Sequence, residues 1–233
     1  MSFSRLLFVA LGLAAVGQAD PLLPGGHGQC TSNPSCTVSS LNTTGANVIA
    51  VYITAFNVAV SAAQLTSTSS LSFTCHADID STNFTHGALC WVIAPATSTS
   101  ESITFNPSAA ETMVVASFDF SASAQDKSNF AVSANTSPLS SGSITPAANS
   151  LIIAAGSGYT GTIGLSTAGF TQAENTSAAA NIVAGLWYQV GSAAVNPQFT
   201  LPGVSFGFIA TVTSFKPPVA SGAPTRTLLG VGK

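Results

Sequence analysis

The sequence predicts an all-β fold, specifically a two-sheet antiparallel β-sandwich of jelly-roll type. From Asn47 onward, short runs of β-branched and aromatic residues alternate with clusters of Ser, Gly, Pro and Asn. The segments 112–120 and 204–215 alternate partly with a period of two, which is typical of antiparallel strands with one buried face. No segment of the sequence combines a sustained helical stripe with capping residues. Hydrophobic residues make up 46% of the chain, enough material for a core.

Residues 1–19 have the features of a cleavable export signal. Arg5 precedes the apolar run 6–16, and Gly17 and Ala19 place small residues before a cleavage site at Asp20. The run is too short to cross a bilayer, and no later stretch reaches the roughly 20 apolar residues that a membrane span needs. We therefore expect a secreted, extracellular protein without a membrane span.

The remaining chain divides into three parts by composition. Residues 20–46 contain Pro, Gly, Ser and Thr without periodicity and are interpreted as an N-terminal arm. Residues 47–216 are predicted to form the β-sandwich domain. Residues 217–233 begin with a Pro-Pro pair and are rich in Gly, Ala and Pro, which indicates a flexible tail.

A weak internal repeat divides the domain into half-repeats of about 47–120 and 149–216. The alignment matches Asn47-Val48 with Asn149-Ser150, and Leu89-Cys90-Trp91 with Leu186-Trp187-Tyr188. Each copy is expected to supply four or five strands, whose apolar faces need each other for burial. Chance similarity in a biased composition is the alternative.

The chain has four cysteines, which are more often bridged than free in an exported protein. Three pairings are possible, and local geometry favours Cys30 with Cys36 and Cys75 with Cys90. The first pair closes a small turn around Asn33-Pro34, and the second joins the ends of two neighbouring strands. Free thiols in the core are the alternative.

One concentration of titratable groups lies inside the predicted Cys75–Cys90 loop. His76, Asp78 and Asp80 are spaced so that an extended chain points them to one face, and His86 follows nearby. Carboxylates with loop carbonyls are typical of calcium sites, and His with carboxylates is typical of transition-metal sites. The spacing matches no strict metal-binding motif, so we predict no cofactor. If this cluster binds an ion, we expect the ion to be Ca²⁺. The alternative is a solvated loop tip.

Three aromatic residues at similar places in the half-repeats are candidates for ligand binding: Trp91, Trp187 and Tyr188. Aromatic faces stack on sugar rings, and Asn, Gln and hydroxyl groups can add hydrogen bonds without any net charge. The alternative is that the two Trp side chains fill the core of the sandwich.

Charged residues make up 6% of the chain, and the formal net charge is −3. With so few cations, binding to nucleic acid is not expected. No paired carboxylates stand out as glycosidase residues. We therefore predict no catalytic residues.

Several strand sequences together carry a resemblance. They are Asn47-Val-Ile-Ala-Val, Trp91-Val-Ile-Ala-Pro, Met113-Val-Val-Ala-Ser-Phe-Asp-Phe, Asn149-Ser-Leu-Ile-Ile-Ala and Leu186-Trp-Tyr-Gln-Val. Over about residues 41–216 the chain resembles poorly characterised exported bacterial β-sandwich domains, related in shape to the concanavalin A-like and jelly-roll folds. The resemblance implies a fold and no assigned function.

The leading hypothesis is a secreted, non-catalytic β-sandwich that serves as an extracellular structural, adhesive or carbohydrate-contacting module. Its partner would be an extracellular glycan or a cell-surface component. One alternative is a secreted glycan-active hydrolase that uses Asp78, Asp80 or Glu111. Another is an ice- or surface-binding protein, which the Thr-rich strands favour.

Overall fold

The structure, a computed structural model, describes residues 19–32, 35–81, 85–107, 109–134, 136–159, 161–176, 182–202 and 207–219. These residues form antiparallel strands and one short 3-10 turn, Ala62–Gln64, and the described part of the chain contains no α-helix. The prediction of an all-β antiparallel sandwich is confirmed, but the structure has four sheets where two were predicted, because short strands form two additional small sheets. The finer assignment to a jelly roll stays a prediction. The predicted leader 1–19 and tail 217–233 lie almost wholly outside the described residues.

The strands form two large and two small sheets. The first large sheet has the order β1-β9-β3-β7-β5, with β6 also on β7, and the second has the order β10-β17-β12-β15-β14. The first small sheet is β2-β8-β4 and the second is β11-β16-β13. The bounds are β1 Leu22–Ser32, β2 Cys36–Leu41, β3 Val48–Phe56, β4 Leu65–Ser67, β5 Thr74–Cys75, β6 Ile79–Asp80, β7 Thr85–Ile93, β8 Glu101–Phe105, β9 Glu111–Phe118, β10 Ala124–Ser133, β11 Leu139–Ser140, β12 Ser150–Tyr159, β13 Gly164–Leu165, β14 Thr171–Asn175, β15 Ile182–Gly191, β16 Gln198–Thr200 and β17 Phe208–Lys216.

The four sheets stack as four layers, with the large sheets inside and the small sheets outside. One core cluster joins the facing large sheets through side chains such as Tyr52, Leu89 and Leu186. A second cluster fills the space between the first large and first small sheets, and a third does the same in the other half. Both faces of the large sheets are therefore covered, which explains why β3, β9, β12 and β17 are buried along nearly their whole length.

The two halves of the described chain have the same strand topology. The first half, 22–118, and the second half, 124–216, each build one five-stranded path and one small sheet, and strands in corresponding places follow one another in the same chain order. The halves face each other as approximate two-fold mates. The Trp91–Phe215 ring pair, at 5.7 Å and 72°, corresponds to the Tyr188–Phe118 pair, at 5.2 Å and 62°. The two halves thus share one topology over wider ranges than the predicted half-repeats, and the sequence repeat itself stays a prediction.

Strand register corrects part of the predicted alignment. Val48 pairs with Phe118 and Ile93, and in the second half Leu151 pairs with Phe215 and Val190. Val48 therefore corresponds to Leu151, one residue beyond the predicted match with Ser150. Because side chains alternate between faces, a slip of one residue exchanges the inner and outer sides of the strand.

The segment 20–46, predicted as an N-terminal arm, contributes two strands to the body. β1 pairs with β9 at the edge of the first large sheet, and β2 pairs with β8 in the first small sheet. These strands are polar because one is an edge strand and the other lies in an outer layer, so neither shows a long apolar run. Val38 and Leu41 still reach the second core cluster.

Both predicted disulfide pairs are confirmed. Cys30 is bonded to Cys36, and Cys75 is bonded to Cys90, on neighbouring strands β5 and β7. Both disulfides belong to the first half. In the second half, Gln172 and Trp187 occupy the paired positions that correspond to Cys75 and Cys90.

Candidate functional site

A groove opens where the edges of the two large sheets meet. Its lining comes from the β5–β6 connection and from strands β10 and β17, and it encloses a cavity of about 280 Å³. We call it the rim groove; its lining residues are His76, Ala77, Asp78, Ser128, Asn129, Phe130 and Thr211. The groove is open because β5 and β6 are two residues long and stop short of covering β10.

His76 connects the two halves at the inner side of the rim groove. Its Nε2 lies 2.7 Å from Thr213 Oγ1, and its ring packs on Trp91 with the centroids 4.9 Å apart. Partial burial lowers the pKa of His76, because the charged imidazolium loses hydration there. His76 therefore acts as a neutral bridge between the halves at neutral pH.

Asp78 and His86 form a close pair beside the groove. Asp78 Oδ2 lies 2.8 Å from His86 Nδ1, and Asp78 Oδ1 accepts a hydrogen bond from the Val60 amide. Asp80 Oδ1 is 3.9 Å from His86 Nε2. Asp78, Asp80 and His86 are thus brought together, whereas His76 turns toward Thr213 in the other half.

The geometry does not assemble the predicted metal trio of His76, Asp78 and Asp80. In the described part of the chain, no group of three or more His, Cys, Asp or Glu side chains is placed to hold a metal ion. The two carboxylate oxygens of Asp78 contact the Val60 amide and the His86 ring, which favours a structural role for this residue.

All three predicted ligand-binding aromatics lie in the core. Trp91 and Tyr188 pack between the large sheets, and Trp187 packs between the second large and second small sheets. Their exposed fractions are 7%, 3% and 4%, respectively. Trp91 corresponds to Tyr188 between the two halves, whereas Trp187 corresponds to Cys90. This burial favours the core-packing alternative.

Among the described residues, the exposed large aromatic side chain is Phe130, which is not among the predicted ligand-binding residues. It is 58% exposed and lies on β10 with exposed neighbours Ser128 and Val132 on the same face. The strand is mostly polar, and its sequence signal is the alternation Phe130-Ala131-Val132 in the segment between the two predicted half-repeats.

The opposite rim, where β1 faces β14, provides an internal comparison. There His27 Nδ1 lies 3.0 Å from Glu174 Oε2 and links the two halves. Strand register places Ser128 at the position of His27, and Phe130 at the position of Gln29. A His27–Glu174 contact therefore closes one rim, whereas the other rim presents a hydroxyl and an aromatic ring beside an open cavity.

Two buried glutamates occupy contrasting environments. Glu101 Oε1 accepts hydrogen bonds from the Thr68 hydroxyl and from the amides of Ser69 and Ser102. Burial alone would raise the pKa of Glu101, but these hydrogen bonds outweigh it and hold the pKa below its ordinary value. Glu111 is 2% exposed, and neither carboxyl oxygen has a hydrogen-bond partner among the described residues.

Burial raises the pKa of Glu111 to about 7. Because the folded protein then retains a proton that the unfolded chain releases, stability should fall as pH rises from about 4.5 to about 7. We expect Glu111→Gln to remove this decline and Glu111→Met to stabilise the fold by about 1–3 kcal/mol at pH 8. Urea unfolding at pH 5 and pH 8 measures both effects.

Glu101→Gln serves as the matched control for Glu111, with the opposite sign. The lowered pKa of Glu101 contributes stability that is present above the unfolded pKa and lost in acid. This variant should therefore be less stable than the natural protein at pH 8. Equal effects of the two Gln variants would contradict the environments described.

The hydrolase candidates Asp78 and Asp80 lie near β6, and strand β3 separates them from Glu111 on β9. Glu111 lies at the start of β9, next to Thr112, whose hydroxyl donates to the Ile182 carbonyl between the halves. Strand register places Glu111, Ala55 and His86 in one cross-strand row on the face toward the first small sheet, with Ala55 between the other two. No helix in the described part of the chain is long and apolar enough to cross a membrane.

No known protein family, curated protein or solved structure matches this chain. The resemblance to exported bacterial β-sandwich domains therefore stays a prediction.

Proposed function

We propose that this chain is an exported, non-catalytic β-sandwich protein that contacts neutral glycans outside the cell through the rim groove. The observation that carries the proposal is the 58% exposed Phe130 ring beside a cavity lined with hydrogen-bonding groups. The proposal keeps the adhesive or structural role of the leading hypothesis. It assigns the ligand contact to Phe130, because the predicted Trp and Tyr side chains are buried.

The groove has the chemical features that sugar recognition needs. An aromatic ring offers a flat apolar surface for the C–H face of a pyranose, and Ser128 and His76 offer polar groups for its hydroxyls. Among the described residues that line the groove, none is Lys or Arg. This lining favours a neutral ligand over a sulfated or phosphorylated one.

A non-catalytic role is supported by what the carboxylates do. Asp78 braces Val60 and His86, Asp126 accepts from the Ala147 amide, and Asp119 accepts from Asn47. Each of these groups holds two parts of the backbone together. Export is supported by the predicted leader and by two disulfide pairs, which are typical of oxidising compartments.

The test is a binding measurement on the purified protein with a panel of neutral oligosaccharides, followed by titration of the best one. We expect Phe130→Ala to weaken binding by at least about tenfold, the equivalent of about 1.4 kcal/mol. Phe130→Trp should retain binding, because it keeps an aromatic surface. Both variants should unfold at the same temperature as the natural protein, since the side chain is largely exposed.

Val132→Ala is the matched control, because Val132 is 40% exposed on the same face of β10 but does not line the groove. It should bind like the natural protein. Equal binding by the Ala variants at 130 and 132 would contradict the proposal. Hydrolysis of a bound glycan that Asp78→Asn abolishes would favour the hydrolase alternative. That alternative and an ice- or surface-binding role stay predictions.

A further inference from the structure

The sequence contains four Asn-x-Ser/Thr motifs, the acceptor signal for N-linked glycans in exported proteins. They begin at Asn42, Asn83, Asn135 and Asn175. Asn83 and Asn135 lie outside the described residues. The motif alone is common in a chain rich in Ser and Thr, so the folded surroundings of each asparagine decide whether it can carry a glycan. The structure places Asn42 and Asn175 in opposite surroundings.

Asn42 is exposed and begins the turn that leads from β2 to β3. Its backbone amide donates to the Gly25 carbonyl at 2.9 Å, which fixes the main chain. Its Oδ1 accepts a hydrogen bond from the Thr44 amide at 3.2 Å, whereas its Nδ2 has no hydrogen-bond partner among the described residues. The atom to which a glycan is attached is therefore free, while the backbone around it is held in place.

The space around this turn is open. Thr44, the hydroxyl residue of the motif, and the following Gly45 are both exposed. A methyl group added at Gly45 would meet no atom within 4 Å. Asn42 lies beside β1, and β1 and β5 are opposite edges of the first large sheet. A glycan on Asn42 would therefore extend into solvent and leave the rim groove uncovered.

Asn175, at the end of β14, is held inside the fold. Its Nδ2 donates to the Ile163 carbonyl at 2.7 Å, and its Oδ1 is buried without a hydrogen-bond partner among the described residues. Ile163 itself is buried. A sugar on Asn175 would need the space around a nitrogen that already lies against the Ile163 main chain. A glycan at this position is therefore incompatible with the folded contacts.

We propose that Asn42 carries an N-linked glycan and that Asn175 does not. In the transfer, Asn42 Nδ2 forms a bond to C1 of the first sugar of a lipid-linked oligosaccharyl diphosphate. The bond from C1 to the diphosphate oxygen breaks, the diphosphate leaves with the electron pair, and the amide nitrogen releases one proton. The proposal rests on the export proposed above, because this modification is made on exported chains. It does not rest on ligand binding by the rim groove.

Glycopeptide mass spectrometry of the protein purified from the medium of its own cells tests the site. We expect a glycan on the peptide that contains Asn42 and none on the peptide that contains Asn175. An amidase that releases N-linked glycans converts the carrier asparagine into aspartate, so the mass of the released peptide identifies it. A secreted protein with unmodified Asn42, or with a glycan on Asn175, would overturn the inference and leave export standing. A chain retained inside the cell would overturn both.

Variants secreted by the same cells test the motif itself. Asn42→Gln and Thr44→Ala should each remove the mass of one glycan, whereas Thr44→Ser keeps the motif and should retain that mass. Asn175→Gln is the matched control. It should leave the glycan mass unchanged and lower the unfolding temperature, because it disturbs the hydrogen bond to Ile163. Equal loss of glycan mass from the two Gln variants would contradict the surroundings described.

Discussion

Phe215→Ala is expected to destabilise the protein by about 3–5 kcal/mol, the usual cost of removing a buried Phe ring. Phe215 is fully buried between the large sheets and meets the edge of the Trp91 ring. Its loss leaves a cavity in the layer that joins the two halves. Urea unfolding monitored by fluorescence and by circular dichroism measures the change.

Phe118→Ala should have an effect of similar size, because Phe118 occupies the two-fold equivalent place against Tyr188. Buried hydrogen bonds such as Tyr52–Ser157 also cross this layer, so we expect one cooperative transition for the natural protein. The control is Phe199→Ala, a loss of the same size in the cluster between the second large and second small sheets. Two separate transitions in the natural protein would contradict the tight coupling of the halves.

Removing the Cys75–Cys90 disulfide with a double Ala substitution should cost about 3 kcal/mol, since it closes a loop of 15 residues in the unfolded chain. The Cys30–Cys36 disulfide closes a loop of 6 residues and should cost less, about 2 kcal/mol. Thermal unfolding of the two double variants, with and without reductant, gives the comparison.

The two disulfides also act as controls for each other. Each double variant keeps one disulfide, which reductant should break. Under reduction, both variants should therefore unfold at the same midpoint temperature as the reduced natural protein. A larger effect from the Cys30–Cys36 pair would contradict loop closure as the main source of stabilisation. The retained fold is checked by the circular dichroism spectrum.

The fold class and the disulfide pairs could be predicted because they depend on local signals. Strand patterns and cysteine spacing are visible in the sequence itself. The number of sheets could not be predicted, because the small sheets contain strands as short as Gly164–Leu165, which have no recognisable sequence pattern. The polar strand β10 was missed because polar edge strands look like loops. The predicted alignment at Asn149 is wrong by one residue, because identical residues in two segments do not indicate which face of each strand is buried.

The candidate site was only partly predictable. The spacing of His76, Asp78 and Asp80 located one wall of the rim groove, but a short extended segment does not fix where each side chain turns. His76 turned to Thr213, which is distant in sequence. The sequence predicts Trp91 and Trp187 as ligand contacts, but packing against the opposing sheets buries both side chains. Such burial depends on tertiary structure, which a short segment of sequence does not indicate. Phe130 is exposed because β5 and β6 are short, and the sequence around Phe130 does not indicate the length of strands elsewhere in the chain.

The location of both disulfides in the first half has a consequence for the unfolded chain. Both bridges close loops between residues 30 and 90, so they restrict the unfolded ensemble of the first half and leave that of the second half unrestricted. The second half therefore depends on non-covalent contacts alone for its share of the stability.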